Sequence, residues 1–208
     1  MISPYLLIRK WLQSSPSKES LNKRTTLLSK IFQYKFEPLE KMAEQGVRDV
    51  TVRLDFLLKE SSGKVLDVGC YNGFYSFELA KKGCDVIGID MLEMAVDYAN
   101  GLVNVETNIK FVKGYAENLP FSDGEFDTTI ISHTLEHVFD HERSLSEAVR
   151  VTKNKGKLIA IVPREMGNAP AHLRHVSSEV LNSMMREYCH VGKELAIGKG
   201  IGYVGNVK

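Results

Sequence analysis

Three groups of residues in this chain have types and spacings that could do chemistry. They are Asp67, Gly69 and Gly73 in "VLDVGCYNG", Asp90 closing "VIGID", and the histidine-rich "HTLEH" at 133–137. An acid and two glycines at the lip between a buried strand and a helix let a ligand approach the backbone. A phosphate-cradling loop would carry a lysine and a hydroxyl after its last glycine, and neither follows Gly73. A dinucleotide fingerprint needs a bare second glycine for the pyrophosphate, and Tyr71 stands there instead. Asp67 points the same way, because an acid repels phosphate but pairs with an ammonium. The ligand these residues fit has a nucleoside and a cationic amino-acid end, with no phosphate.

"HTLEH" matches H-x-x-E-H, a zinc-peptidase pattern that works only within a helix, where both histidines face one metal. Here it follows the apolar run "TTIIS" directly, at a strand-to-helix junction. We therefore expect no metal. Bracing of the loop is the expected role of Glu136 and His137.

These residues need elements to hold them. From residue 64 onward the pattern alternates: "KVLDVG" reads as a buried strand, "FYSFELAKKG" as a helix ended by Gly83, and "CDVIGID" as a second strand. "MLEMAVDYANG" reads as a helix stopped by Gly101, and "IKFVKG" and "FDTTIIS" as strands three and four. "HERSLSEAVRVTK" reads as a helix that stops at "NKG", and "KLIAIVP" as strand five. "SSEVLNSMMREY" is a last helix capped by Ser177 or Ser178. The tail predicts an edge hairpin of two short strands around "GKG". Strands that are continuous apolar runs are covered on both faces, so this rhythm predicts an α/β fold with a parallel sheet wrapped by helices. Residues 1–60 show helical spacing with Gly46 as their one glycine, and Pro38 suits a helix start. The division is therefore a helical segment over 1–60 and an α/β domain over 61–208.

Composition sets outer limits. With 27 basic and 26 acidic residues among 208, nothing global favours nucleic acid or an anionic membrane. Cys70, Cys84 and Cys189 are odd in number and widely spaced, which predicts buried thiols in a reducing compartment rather than disulfides or a zinc site. The start, "MISPYLLIRKWL", is broken by Arg9 and Lys10 and lacks an extended apolar core. It reads as no signal peptide, and no run spans a bilayer. A cytoplasmic location is the expectation.

Taken in order, the segments "VLDVGCYNGFYS", "VIGID", "FVKGYAENLPFSDGEFD", "TTIISHTLEHV" and "EAVRVTKNKGKLIAIVP" resemble the motifs of the class I S-adenosylmethionine-dependent methyltransferases, type 11 group. The likeness runs from residue 64 to about 180. It implies a doubly wound, mostly parallel seven-stranded Rossmann-like sheet with an antiparallel C-terminal edge strand, preceded by N-terminal helices. It implies S-adenosylmethionine as cofactor and S-adenosylhomocysteine as product. Gly69 and Gly73 would admit the cofactor's amino-acid part, and Asp67 would brace the loop or reach toward its ammonium. Asp90 would accept both ribose hydroxyls, Met91 or Leu92 would flank the adenine, and Ala116 and Glu117 would lie at its edge. The group commonly has an acid where Tyr115 stands here. Ser132 and His133 would sit below the methionine portion, near the methyl. Tyr71 would line the cavity or pack on the N-terminal helices.

The resemblance also implies a methyl transfer to a small-molecule acceptor, at oxygen or nitrogen, by in-line displacement. Candidates for orienting that acceptor or taking its proton are His133, His137, His172 and His175. For His172 and His175 a backbone hydrogen bond near the helix start is the competing role. Residues 1–60 would cap the cavity, with Trp11, Phe32, Tyr34 and Phe36 as cavity wall or core. No N-P-P-Y-like tetrapeptide follows the fourth strand, which disfavours the base and glutamine N-methyltransferases. The alternative function is a non-catalytic, cofactor-binding or regulatory subunit of the same fold.

Overall fold

A computed structural model describes residues 47–104, 108–165 and 173–208, together with Ser17, Ser20, Leu21 and Lys23. Within these, the order is α1 (Val47–Glu60), β1 (Lys64–Val68), α2 (Phe74–Lys81), β2 (Asp85–Asp90), α3 (Glu93–Leu102), β3 (Ile109–Lys113), β4 (Phe126–Ser132), α4 (His141–Val151), β5 (Thr152–Pro163), α5 (Ser178–Tyr188), β6 (Cys189–Ile197) and β7 (Gly200–Val207). The strands form one seven-stranded sheet in the order β3-β2-β1-β4-β5-β7-β6. The first five are mutually parallel, and β7 runs antiparallel to both β5 and β6. The predicted α/β architecture is therefore observed, with the C-terminal hairpin completing the sheet.

Alternation along the strands divides the core in two. Leu66 and Val68 of β1, Ile87 and Ile89 of β2, and Leu158 and Ala160 of β5 point to the face covered by Leu145 and Ala148 of α4 and Leu181 and Met185 of α5. Val65, Val86, Ile130 and Ile159 point to the opposite face, against Leu57 of α1, Leu79 of α2 and Val96 of α3. Each such side chain contributes about 1.5–3 kcal/mol when fully buried. A strand buried on both faces must read as an unbroken apolar run, which is why these strands were legible.

Local chemistry sets the ends of the elements. Gly83 (φ 100) takes the left-handed conformation after α2, and its N–H donates to Ala80 O while that of Cys84 donates to Leu79 O. Ser177 caps α5 by accepting from Val180 N, and Asp140 caps α4 by accepting from Arg143 N at 3.0 Å. Helix α3 runs through Gly101 to Leu102 instead of stopping at the glycine.

The "NKG" segment differs more. Helix α4 ends at Val151, and β5 starts at once with Thr152, so "NKG" lies inside the strand and not before it. Thr152 Oγ1 donates to Ala148 O at 2.6 Å and lies 2.7 Å from Thr129 Oγ1, which ties the helix end directly to β4. The register then jumps from Phe126↔Thr152 to Thr128↔Lys157, setting five residues of β5 against two of β4. Lys155, at φ 63, makes the bulge possible.

The chain winds outward from β1 to β3 and then returns to β4 beside β1. In a parallel sheet that reversal opens a crevice at the carboxyl ends of the strands.

Candidate functional site

A cavity of about 410 Å³ occupies that crevice. Its walls come from the ends of β1 to β4, from the loops that follow them, from Phe74 and Tyr75 at the start of α2, and from Arg53 of α1.

The loop after β1 is held by three contacts that fix its shape. Gly69 (φ 77) donates its N–H to Ile89 O, and Tyr71 donates its N–H to Asp90 Oδ2 at 2.8 Å. Thr134, from the segment after β4, donates its hydroxyl to Val68 O at 2.9 Å and fills the space a Cβ on Gly69 would need. Gly73 (φ 83) starts α2, and a Cβ there would lie 2.6 Å from the Phe111 ring. Both glycines are thus demanded by backbone conformation and by protein packing. Gly69 also lines the cavity, whereas Gly73 does not. Tyr71 (φ 50) and His133 (φ 52), facing the cavity from two loops, are left-handed without being glycine. Such strained residues cluster at functional sites.

Asp90 closes β2. Its Oδ2 accepts from Tyr71 N and its Oδ1 from Leu92 N, each at 2.8 Å, and Leu92 rather than Asp90 is the N-cap of α3. Burial raises its pKa, and the two N–H groups oppose that rise. Each carboxylate oxygen has a second lone pair, so the backbone bonds orient the group without exhausting it. Asp67 is 4 % exposed and accepts from Ser76 Oγ at 2.6 Å. Burial pushes its carboxyl up to about 6, against the Ser76 bond and with help from the Asp90 charge.

Met91, Tyr115, Ala116 and Glu117 line the wall beyond Asp90. Glu117 is buried, and its Oε1 accepts from Phe139 N at 2.7 Å and Asp140 N at 3.3 Å, pinning the approach to α4. Burial raises its pKa.

The segment "HTLEH" forms turns, not a helix, which removes the zinc-peptidase geometry. Ser132, His133 and His137 line the cavity. Glu136 lies behind them, 1 % exposed, with both carboxylate oxygens lacking a hydrogen-bond partner. His133 Nδ1 is 3.4 Å and His137 Nε2 is 4.0 Å from Glu136 Oε1. Burial favours the neutral acid, but the two histidines outweigh it and keep the Glu136 carboxyl below its usual range. The Glu136 carbonyl braces the loop before α5 by accepting from Leu173 N. Among the described residues, no three His, Cys, Asp or Glu side chains converge as a metal-binding group.

His175 is exposed and does not line the cavity, and His172 lies outside the described residues, as do Trp11, Phe32, Tyr34 and Phe36. Cys70, Cys84 and Cys189 are free and buried.

Sequence reasoning missed Arg53. Its side chain is 12 % exposed, lines the cavity, stacks over the Tyr75 ring at 5.8 Å and bonds Asp49. Its Nε is buried with no partner, as are Tyr75 OH and Ser132 Oγ, all on cavity-lining residues. The available signal was weak: one arginine in an amphipathic helix, with no motif around it.

The order of the sheet and the cavity at its switch point define a Rossmann-like, nucleoside-binding type of domain. Residues 66–160 match the model of a methyltransferase domain family. Similar proteins include demethylmenaquinone methyltransferase of Paenarthrobacter aurescens, 37% identical over 100 residues that make up 46% of this chain and 37% of that one. The ubiquinone biosynthesis O-methyltransferase of Coxiella burnetii is 32% identical over 149 residues, 69% of this chain and 63% of that one. Among solved structures, an S-adenosylmethionine-dependent methyltransferase from Aquifex aeolicus superposes with a TM-score of 0.68 at 26% identity, covering 84% of this chain and 100% of that one. Residues 66–160 are a methyltransferase domain of the type 11 group of class I S-adenosylmethionine-dependent methyltransferases. The chain spans well under half the length of the demethylmenaquinone methyltransferases that it matches.

Proposed function

We propose that this chain transfers a methyl group from S-adenosylmethionine to a small-molecule acceptor, at oxygen or nitrogen. The observation that carries the reading is the Asp90 carboxylate, oriented by two backbone N–H groups at the edge of a cavity that Asp67 and Arg53 also reach. The residues fit the cofactor at both ends. Asp90 suits the vicinal ribose hydroxyls, because two oxygens meet two donors. Met91, Ala116 and Tyr115 would enclose the adenine. Asp67 suits the ammonium, and the unpartnered Arg53 Nε suits the carboxylate.

When bound, the cofactor supplies a sulfonium-activated methyl, so the protein's task is to position the partners and exclude water. His133 and His137 line the cavity and would accept a proton from a hydroxyl acceptor. The small-molecule reading draws on the relatives, whose names refer to quinones and, in Rauvolfia serpentina, to ajmaline. Residues 1–60 would cap the site. Arg53 reaches the cavity from α1, and Leu21, 1 % exposed, packs with Phe139, Leu173 and Tyr115 beside it. The buried free thiols suit a cytoplasmic setting, and no helix among the described residues is long and apolar enough to cross a membrane.

Calorimetric titration with S-adenosylhomocysteine tests the reading. We expect micromolar binding by the native chain and at least tenfold weaker binding by Asp90→Ala, about 1.4 kcal/mol. No binding by the native chain would sink it.

A further inference from the structure

One carboxylate joins the two elements that flank the family-matched segment. Asp49, in the first turn of α1, spends one oxygen on each of two partners. Its Oδ2 lies 2.5 Å from Arg53 Nη2, and its Oδ1 accepts the Lys199 N–H, also at 2.5 Å, in the turn between β6 and β7. Gly198 (φ 57) precedes that lysine, and Asp49 Oδ1 occupies the place its Cβ would take, so this turn closes over the carboxylate only with glycine there. Burial would raise the Asp49 pKa, but the Lys199 N–H, the Arg53 charge and, more distantly, His133 together lower it. Asp49 therefore stays ionised and keeps both partners.

Each partner leads to the cavity. Arg53 lines it from one side, with Nε still unpartnered. The turn delivers Gly200, the first residue of β7, against His133: a Cβ at Gly200 would lie 3.3 Å from His133 Nε2. His133 in turn lines the cavity, beside Glu136. A guanidinium held through a single ion pair would swing among many rotamers if it were free, and fixing it in advance lowers the cost of binding an anion.

We propose that Asp49 is a positioning residue for the cavity. It aims Arg53 at the carboxylate of the methyl donor and, through the same carboxyl group, couples occupancy of Arg53 to the β6–β7 turn that backs His133. This rests on the reading of the cavity as the S-adenosylmethionine site. It also makes α1 and the C-terminal hairpin parts of that site, although both lie outside residues 66–160.

The test compares two probes on the full chain. S-adenosylhomocysteine carries the amino-acid end, and 5′-methylthioadenosine has the same nucleoside and sulfur without it. For Asp49→Ala we expect at least tenfold weaker binding of S-adenosylhomocysteine, with methylthioadenosine unchanged within about twofold. Retained methylthioadenosine binding also certifies the fold. Gly198→Ala approaches the same carboxylate from the turn without touching Arg53, and a smaller loss confined to S-adenosylhomocysteine is expected. In the native chain, S-adenosylhomocysteine but not methylthioadenosine should slow hydrogen exchange of the Lys199 amide. Equal loss of both probes in Asp49→Ala, loss of neither, or a Lys199 amide indifferent to S-adenosylhomocysteine would overturn the proposal. Failure of the native chain to bind S-adenosylhomocysteine would instead remove the parent reading, so the two failures are distinct.

Discussion

The two ends of the cavity are built differently. At the Asp90 end, the carboxylate is held by backbone N–H groups of Tyr71 and Leu92, and every participant lies inside residues 66–160. At the Arg53 end, Arg53 Nε and Tyr75 OH are side-chain groups still without partners, and the arginine comes from a helix before that segment. Backbone donors at neighbouring strand ends survive most substitutions, because any residue but proline supplies an N–H. Side-chain donors brought from separate elements depend on how those elements dock. The first end is therefore a property of the fold, and the second a property of this chain.

That contrast can be broken in order of expected effect. Gly69→Ala attacks the fold-built end. A left-handed φ and the Thr134 side chain both oppose a methyl there, so we expect a loss of ~2–4 kcal/mol in stability, roughly 5–15 °C in Tm, by calorimetric melting. A variant that melts like the native chain would mean that the loop is softer than its contacts indicate.

Asp67→Asn should act through pH. The folded carboxyl stands near 6 against an ordinary value of 3.8, so the native state binds more protons than the unfolded chain between those limits. The contribution of Asp67 is then fully present below pH 4 and is lost as pH rises to 6. Denaturant titrations should show the native chain losing up to about 2–3 kcal/mol relative to Asp67→Asn over that window, the scale set by a two-unit shift of a buried group. A difference between the two proteins that does not vary with pH would contradict the assigned ionisation. In the same window, S-adenosylhomocysteine binding to the native chain should weaken as pH falls below 6, because the neutral acid no longer attracts an ammonium.

Thr134→Val should have the smallest effect. It keeps the bulk against Gly69 and loses the hydrogen bond to Val68 O, worth about 1 kcal/mol. A loss several times larger in urea melts would show that this hydroxyl, and not the glycine packing, sets the loop.

The same contrast explains how much was legible in the sequence. Strands such as "KVLDV" and "FDTTIIS" bury both faces, so their composition alone marks them. The glycines and Asp90 fall where strands pass into helices, positions at which a ligand can approach the backbone of an open sheet. Arg53 gave no such mark, because an arginine on an amphipathic helix is ordinarily solvated, and only the docking of α1 turns it inward. Asp49 depends on a turn 150 residues away, a distance no local pattern spans. The bulge at Lys155 was hidden for a different reason. "NKG" is turn chemistry, and only the Thr152 contacts to Ala148 and Thr129 carry the chain into the sheet before it. Glu117 was expected at the adenine edge. It lines the cavity, but Phe139 and Asp140 already occupy one of its oxygens, a bond between loops that spacing does not reveal.

The most direct measurement crosses the two ends with two ligands. S-adenosylhomocysteine and 5′-methylthioadenosine would be titrated calorimetrically into the native chain, Asp90→Ala and Arg53→Met. Asp90→Ala should lose both ligands by at least tenfold, because both carry the ribose. Arg53→Met should lose S-adenosylhomocysteine by about tenfold and keep methylthioadenosine. If Asp90→Ala binds both ligands as the native chain does, the nucleoside does not sit at the end of β2, and this account of the cavity is wrong.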